Sequence, residues 1–156
     1  MERRELLSLG GIAAIAGAFG AGAAAREPSA ARSVIRIYSD ADGNSHIQEL
    51  PIATKPGRSR RSDNAAVTGL SFAELPSNTV EDWHRSSVPQ FSISLSGEIE
   101  VEVSGGKRHA VHTGDIVFLE DLHGQGHITR IMSPVSNIFI RVADGFDIVA
   151  WSRGQS

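Results

Sequence analysis

QFSISLSGEIEVEVSGGK, residues 90–107, decides the fold. Phe91, Ile93 and Leu95 alternate with Gln90, Ser92 and Ser94, and after Gly97 the alternation resumes with Ile99, Val101 and Val103 against Glu98, Glu100 and Glu102. Side chains of a strand point to opposite faces with period two, so these are two strands, each with one apolar face. The glutamate face is charged and is expected to meet solvent. Ser104-Gly105-Gly106-Lys107 has the composition of a hairpin turn.

Outward from this hairpin the same signals recur. Arg108–Val111 reads as a short strand, and Thr113-Gly114-Asp115 turns into Ile116-Val117-Phe118-Leu119, an unbroken apolar run suited to a buried strand. Later strands are expected at Ile128–Met132, Ile138–Val142 and Asp147–Trp151. Earlier ones are expected at Val34–Tyr38, His46–Ile52 and Val67–Leu75, with a turn over 39–44 and a polar loop over 53–66. Asp40, Asp42 and Asn44 resemble the start of a calcium loop, but the glycine offset and the closing position do not fit, and the segment reads as a turn. Eight or more evenly spaced short strands with almost no helical periodicity predict an all-β sandwich or barrel.

The chain has 156 residues, a formal charge of −3 and no cysteine. Disulfides, thiolate metal sites and cysteine nucleophiles are therefore excluded. The balance of 15 basic and 18 acidic residues points to no nucleic-acid partner. Lys55, Arg58, Arg60 and Arg61 lie among Pro, Gly and Ser and read as a solvated loop. Residues 1–25 read as an export signal: Arg3-Arg4, an uncharged Ala/Gly-rich stretch from Leu6, then Ala23-Ala24-Ala25. The arginine pair resembles a twin-arginine signal, with an ordinary secretory signal as the alternative. A periplasmic or extracellular protein is expected, with no stable membrane insertion after cleavage. The division expected is signal peptide 1–25, N-terminal strands and polar loop 26–66, and a β core over 67–152.

Histidines mark both ends of the central region. His84 follows Asp82-Trp83, and His123 and His127 lie in the run Glu120-Asp121-Leu122-His123-Gly124-Gln125-Gly126-His127. Gln90 stands seven residues before Gly97 and six after His84, Gly114-Asp115 opens a second element, and His127 closes it three residues after Gly124. In this spacing the chain resembles the cupin superfamily, over roughly residues 70–142, and within it a subgroup of small cupins with a Trp-His start and a Gly-x-Gly-His end.

The resemblance implies a jelly-roll β-barrel (double-stranded β-helix) whose interior holds a divalent transition metal (Fe, Mn, Zn, Ni or Cu). It departs from the family in placing Ser86 where a second histidine belongs and Gln90 where a glutamate belongs. His84 and His127 are the metal candidates, with His123 and Gln90 as additional ones; each histidine reads equally as a hydrogen-bonding residue, and His123 rather as an exposed loop residue. If Gln90 faces the interior, as its family position implies, Ser92 and Ser94 line the same pocket. Phe91, Ile93 and Leu95 then point outward and need covering by the N-terminal strands or by a second copy, and a homodimer is expected. Glu120 and Asp121 are acid/base candidates or turn caps, with capping the preferred reading of Asp121. The function implied is a small-molecule-binding cupin, oxygenase or isomerase chemistry being among those found on the fold. The alternative is a metal-free, non-catalytic module holding a small organic molecule.

Overall fold

A computed structural model describes residues 32–155. The signal segment 1–25 lies outside the described residues. Ten strands, a single 3-10 turn (Ser104–Gly106, between β6 and β7) and one short α-helix follow in order: β1 (Ser33–Ser39), β2 (Ser45–Pro51), β3 (Val67–Leu75), β4 (Val80–His84), β5 (Gln90–Ser96), β6 (Glu98–Glu102), β7 (Arg108–His112), β8 (Ile116–Glu120), β9 (His127–Ile131), β10 (Val135–Val142) and α1 (Ile148–Ser152).

They build two sheets, one of order β2-β1-β8-β5-β10-β3 and one of order β4-β9-β6-β7. Strands β3 to β10, split as β8-β5-β10-β3 and β4-β9-β6-β7, have the strand order of an eight-stranded jelly roll. The expected closed barrel is corrected to a sandwich, because no ladder among the described residues joins the two sheets. At the β3–β4 corner the turn pairs with the second sheet instead: Asn78, at φ 63°, donates its N–H to the Ile131 carbonyl (2.9 Å), and Ile131 donates back to Thr79 (2.9 Å). β1 and β2 extend the larger sheet, β1 running parallel to β8 with Ile35 opposite Val117.

The larger sheet is apolar on both faces. Between the sheets, Ile35, Ile37, Ile99, Val101, Val117 and Ile131 form one buried cluster. On the outer face, Val34, Leu50, Phe91, Phe118 and Val142 pack with Ile148 and Trp151 of α1. This is why consecutive residues such as Val117 and Phe118 are both buried, as their unbroken apolar run predicted.

Residues 147–151, expected as a strand, are corrected to a helix start. The Asp147 carboxylate caps it by accepting from the Val149 and Ala150 N–H groups (2.9 and 3.0 Å), and Ile148 and Trp151, three apart, share its buried face. Trp151 also donates Nε1–H to the Asp63 carbonyl (2.8 Å). Phe91 therefore finds its cover within its own chain, edge to face with Phe118, Phe146 and Trp151. Leu95 stays 44% exposed at a bulge, where β10 residues 136 and 137 pair with β5 residues 96 and 94. The glutamate face of β6 is only partly in water, since Glu100 and Glu102 are bridged by Arg108 and Arg130 at 2.8–3.2 Å.

Candidate functional site

A cavity of about 260 Å³ lies between the sheets, open beside the β4–β5 connection. Its walls are the apolar inner faces of β6, β8 and β9, and its polar groups come mostly from the end of β4, the start of β5 and the start of β9. His84 is the last residue of β4 and His127 the first of β9, and the two are direct partners in the antiparallel ladder. Their ring centroids are 4.3 Å apart with planes tilted by 57°. This is the juxtaposition the sequence spacing pointed to.

Two glycines let the 121–126 loop reach that position. A Cβ on Gly126 (φ +77°) would stand 1.9 Å from the His84 carbonyl oxygen, and one on Gly124 (φ +75°) 2.0 Å from the Gly43 carbonyl oxygen. The Gly-x-Gly-His run is thus a backbone requirement: the loop lies directly on the end of β4 and on the 40–44 turn.

Each imidazole is held through Nδ1. His127, only 3% exposed, has Nδ1 2.6 Å from Oδ2 of Asp121, which is itself wholly buried. His84 has Nδ1 2.8 Å from the Asp82 carbonyl oxygen. A carbonyl or a carboxylate can only accept, so both Nδ1 atoms carry the proton, and in the neutral rings both Nε2 atoms keep a lone pair. Asp121 was an acid/base candidate or turn cap in the sequence; its pairing with His127 is what sequence reasoning missed. The residue is not a turn cap: its carboxylate orients His127 and offsets the charge when that ring is protonated. Its second oxygen, Oδ1, has no hydrogen-bond partner among the described residues.

The other candidates divide clearly. Gln90 and Ser92 border the cavity as expected. Gln90 donates Nε2–H to Ser86 Oγ (3.3 Å), and Ser86 in turn donates to the Val88 carbonyl (2.7 Å), which leaves Gln90 Oε1 as the uncommitted amide atom. Ser94 is buried on the same side of the sheet but does not border the cavity. Glu120 lies on the outer face, because Val117 and Leu119 take the inward parity of β8; it pairs there with Arg36, which also donates to Gln48 Oε1 (3.0 Å). His123 is exposed and bonds through Nε2 to the Asp40 carbonyl (2.9 Å), away from the cavity. Arg85, Thr129 and Asn137 border the cavity and were not singled out from the sequence.

No protein-family profile matches this chain, and no curated protein matches it. Among solved structures it is similar to a conserved protein of unknown function from Streptococcus pyogenes (17% identity, TM-score 0.41), over 50% of this chain and 66% of that one, just under two thirds of its length. It is also similar to a DUF861 family protein from Thermotoga maritima (22% identity, TM-score 0.38), over 44% of this chain and 74% of that one. A third is a cupin-2 domain containing protein from Shewanella frigidimarina (10% identity, TM-score 0.39), over 53% of this chain and 83% of that one.

Proposed function

We propose that this jelly-roll protein, of the cupin kind, binds a small organic acid in the cavity between its sheets. The observation that carries this is the His84–His127 pair, in which both Nδ1 atoms are engaged and both Nε2 lone pairs are left for a ligand. The anion is bound together with a proton taken up from water at Nε2 of His127, which then donates to the ligand's carboxylate while Asp121 lies beside the imidazolium. Arg85 at the rim adds a cation with no carboxylate partner among the described residues. At about 30 Å³ per water, the cavity displaces about eight or nine waters, which restricts the ligand to a compact molecule. Calorimetric titration with benzoate as probe and benzamide as its neutral counterpart tests the reading. Benzoate is expected to bind and benzamide not, with benzoate affinity falling about tenfold in Arg85→Ala, the loss of one charge-assisted contact. Equal behaviour of the two probes would sink it.

A second reading is favoured by Asp121 itself. A carboxylate on Nδ1 is the usual support of a histidine that ligates a metal through Nε2. His84 and His127 would hold the divalent ion, Gln90 Oε1 would be a weak third donor, and the metal would supply Lewis-acid chemistry. As a resident site the donor set is incomplete, since no group of three or more His, Cys, Asp or Glu side chains is placed to hold a metal ion among the described residues. Elemental analysis of protein from its native compartment separates the two readings: a near-stoichiometric transition metal that is lost in His84→Ala supports the second.

Export through the 1–25 segment and assembly as a homodimer belong to the same proposal. For the dimer, support comes from Leu70 and Phe72 on the edge strand β3, 70% and 56% exposed. Light scattering that gives a monomeric mass would remove that part.

A further inference from the structure

The cavity is polar at two ends. One end is its mouth, where Glu81, His84, Arg85 and Gln90 are exposed or half-buried. The other is its floor, where Ser92 of β5 and Asn137 of β10 are 8% and 5% exposed. Between them the lining is mostly aliphatic, with Ile99, Val101, Val117 and Leu119 beside Thr129.

Asn137 donates Nδ2–H to Ser92 Oγ (3.3 Å), and its Oδ1 has no hydrogen-bond partner among the described residues. With the amide turned the other way, Nδ2 would be the atom left without one. A buried amide atom without a partner lowers stability, whereas leucine at this place would close the floor with none of that penalty. The fold therefore has no use for Asn137, and a ligand does.

We infer that Asn137 and Ser92 form a second polar subsite at the cavity floor, which takes a hydroxyl or N–H group on the far end of the ligand. The inference rests on the organic-acid reading of the mouth and makes it narrower. Gln90 and Ser92 are two residues apart on β5, and a strand rises about 3.4 Å per residue, so the subsites are roughly 7 Å apart. The ligand class is a small monoanion with an apolar middle and a hydrogen-bonding group roughly 7 Å from its acidic end.

Para-hydroxybenzoate has that layout in a rigid ring, and benzoate lacks only the hydroxyl. Titrated calorimetrically into the full chain, the hydroxylated acid is expected to bind about tenfold tighter, the ratio given by one net hydrogen bond. The Asn137→Leu/Ser92→Ala variant is expected to keep benzoate binding and lose the preference, with a melting temperature no lower than that of the unaltered chain. Equal affinities in the unaltered chain overturn the floor subsite and leave the mouth reading standing. Binding of neither acid overturns both, and a preference that survives in the folded variant places the hydroxyl elsewhere and overturns the inference.

Discussion

His84 and His127 face each other across the β4–β9 ladder with ring centroids 4.3 Å apart, yet their surroundings differ sharply. His127 is 3% exposed and shares a hydrogen bond with a carboxylate at zero exposure, whereas His84 is half-buried and bonds to a main-chain carbonyl. Alanine at the two positions should therefore separate stability from binding. His127→Ala leaves Asp121 buried without its counter-group and is expected to cost about 3–5 kcal/mol in urea unfolding. His84→Ala is expected to cost about 1 kcal/mol while still weakening ligand binding. Equal costs would mean that Asp121 does not depend on His127.

Gly126→Ala is expected to destabilise by at least about 2 kcal/mol, since the left-handed backbone alone costs about 1–2 kcal/mol and a clash follows. The new methyl would meet the His84 carbonyl, a backbone group that cannot swing aside. Gly105 has the same φ of +77° but nothing within 4 Å of an added Cβ, so Gly105→Ala should show the backbone cost only. Urea midpoints of the two variants measure the difference.

Asp40 should titrate far into acid. Its carboxylate bonds to His46 Nε2 (2.7 Å) and accepts from the Asn44 N–H (2.9 Å), and these contacts lower its pKa from 3.8 to about 2, His46 contributing most. A lowered folded-state pKa means a contribution that is complete above 3.8 and disappears as pH falls towards 2. Carbon-detected NMR of the Asp40 carboxyl should give a midpoint near 2, moving back towards 3.8 in His46→Ala. An unmoved midpoint in that variant would show that the histidine is not the cause.

Trp151→Ala should lower stability by about 3–5 kcal/mol, as expected for loss of a buried aromatic. Trp151 covers Phe91 and ties α1 to the Asp63 carbonyl, so the variant should also raise dye binding by exposed apolar surface. A loss under about 1 kcal/mol would show that α1 is not the cover of the outer face.

Most strands and turns were legible because each depends on local pattern, period-two alternation and glycine at turns, and the motif spacing singled out His84 and His127. β4 was not foreseen, since Val80–His84 shows no such alternation. What stayed hidden depended on pairing or parity. Glu120 looked like a rim carboxylate until the inward parity of Val117 and Leu119 put it on the opposite face beside Arg36. Asp121 resembled an ordinary turn residue, since nothing in a loop sequence shows which carboxylate will fold back onto a histidine six positions later. Asn137 sits in an apolar strand and reaches the cavity only through the register of β10 against β5. The five-residue helix α1 was too short to display a helical period against so many strands.

The parallel seam between β1 and β8 also sets a timetable. β1 pairs locally with β2, but that pair joins the rest of the sheet only where Ile35 lies beside Val117, 82 residues further along. Such distant pairing makes for slow closure. The chain must extend through β8 before the β1–β2 pair can dock on the larger sheet.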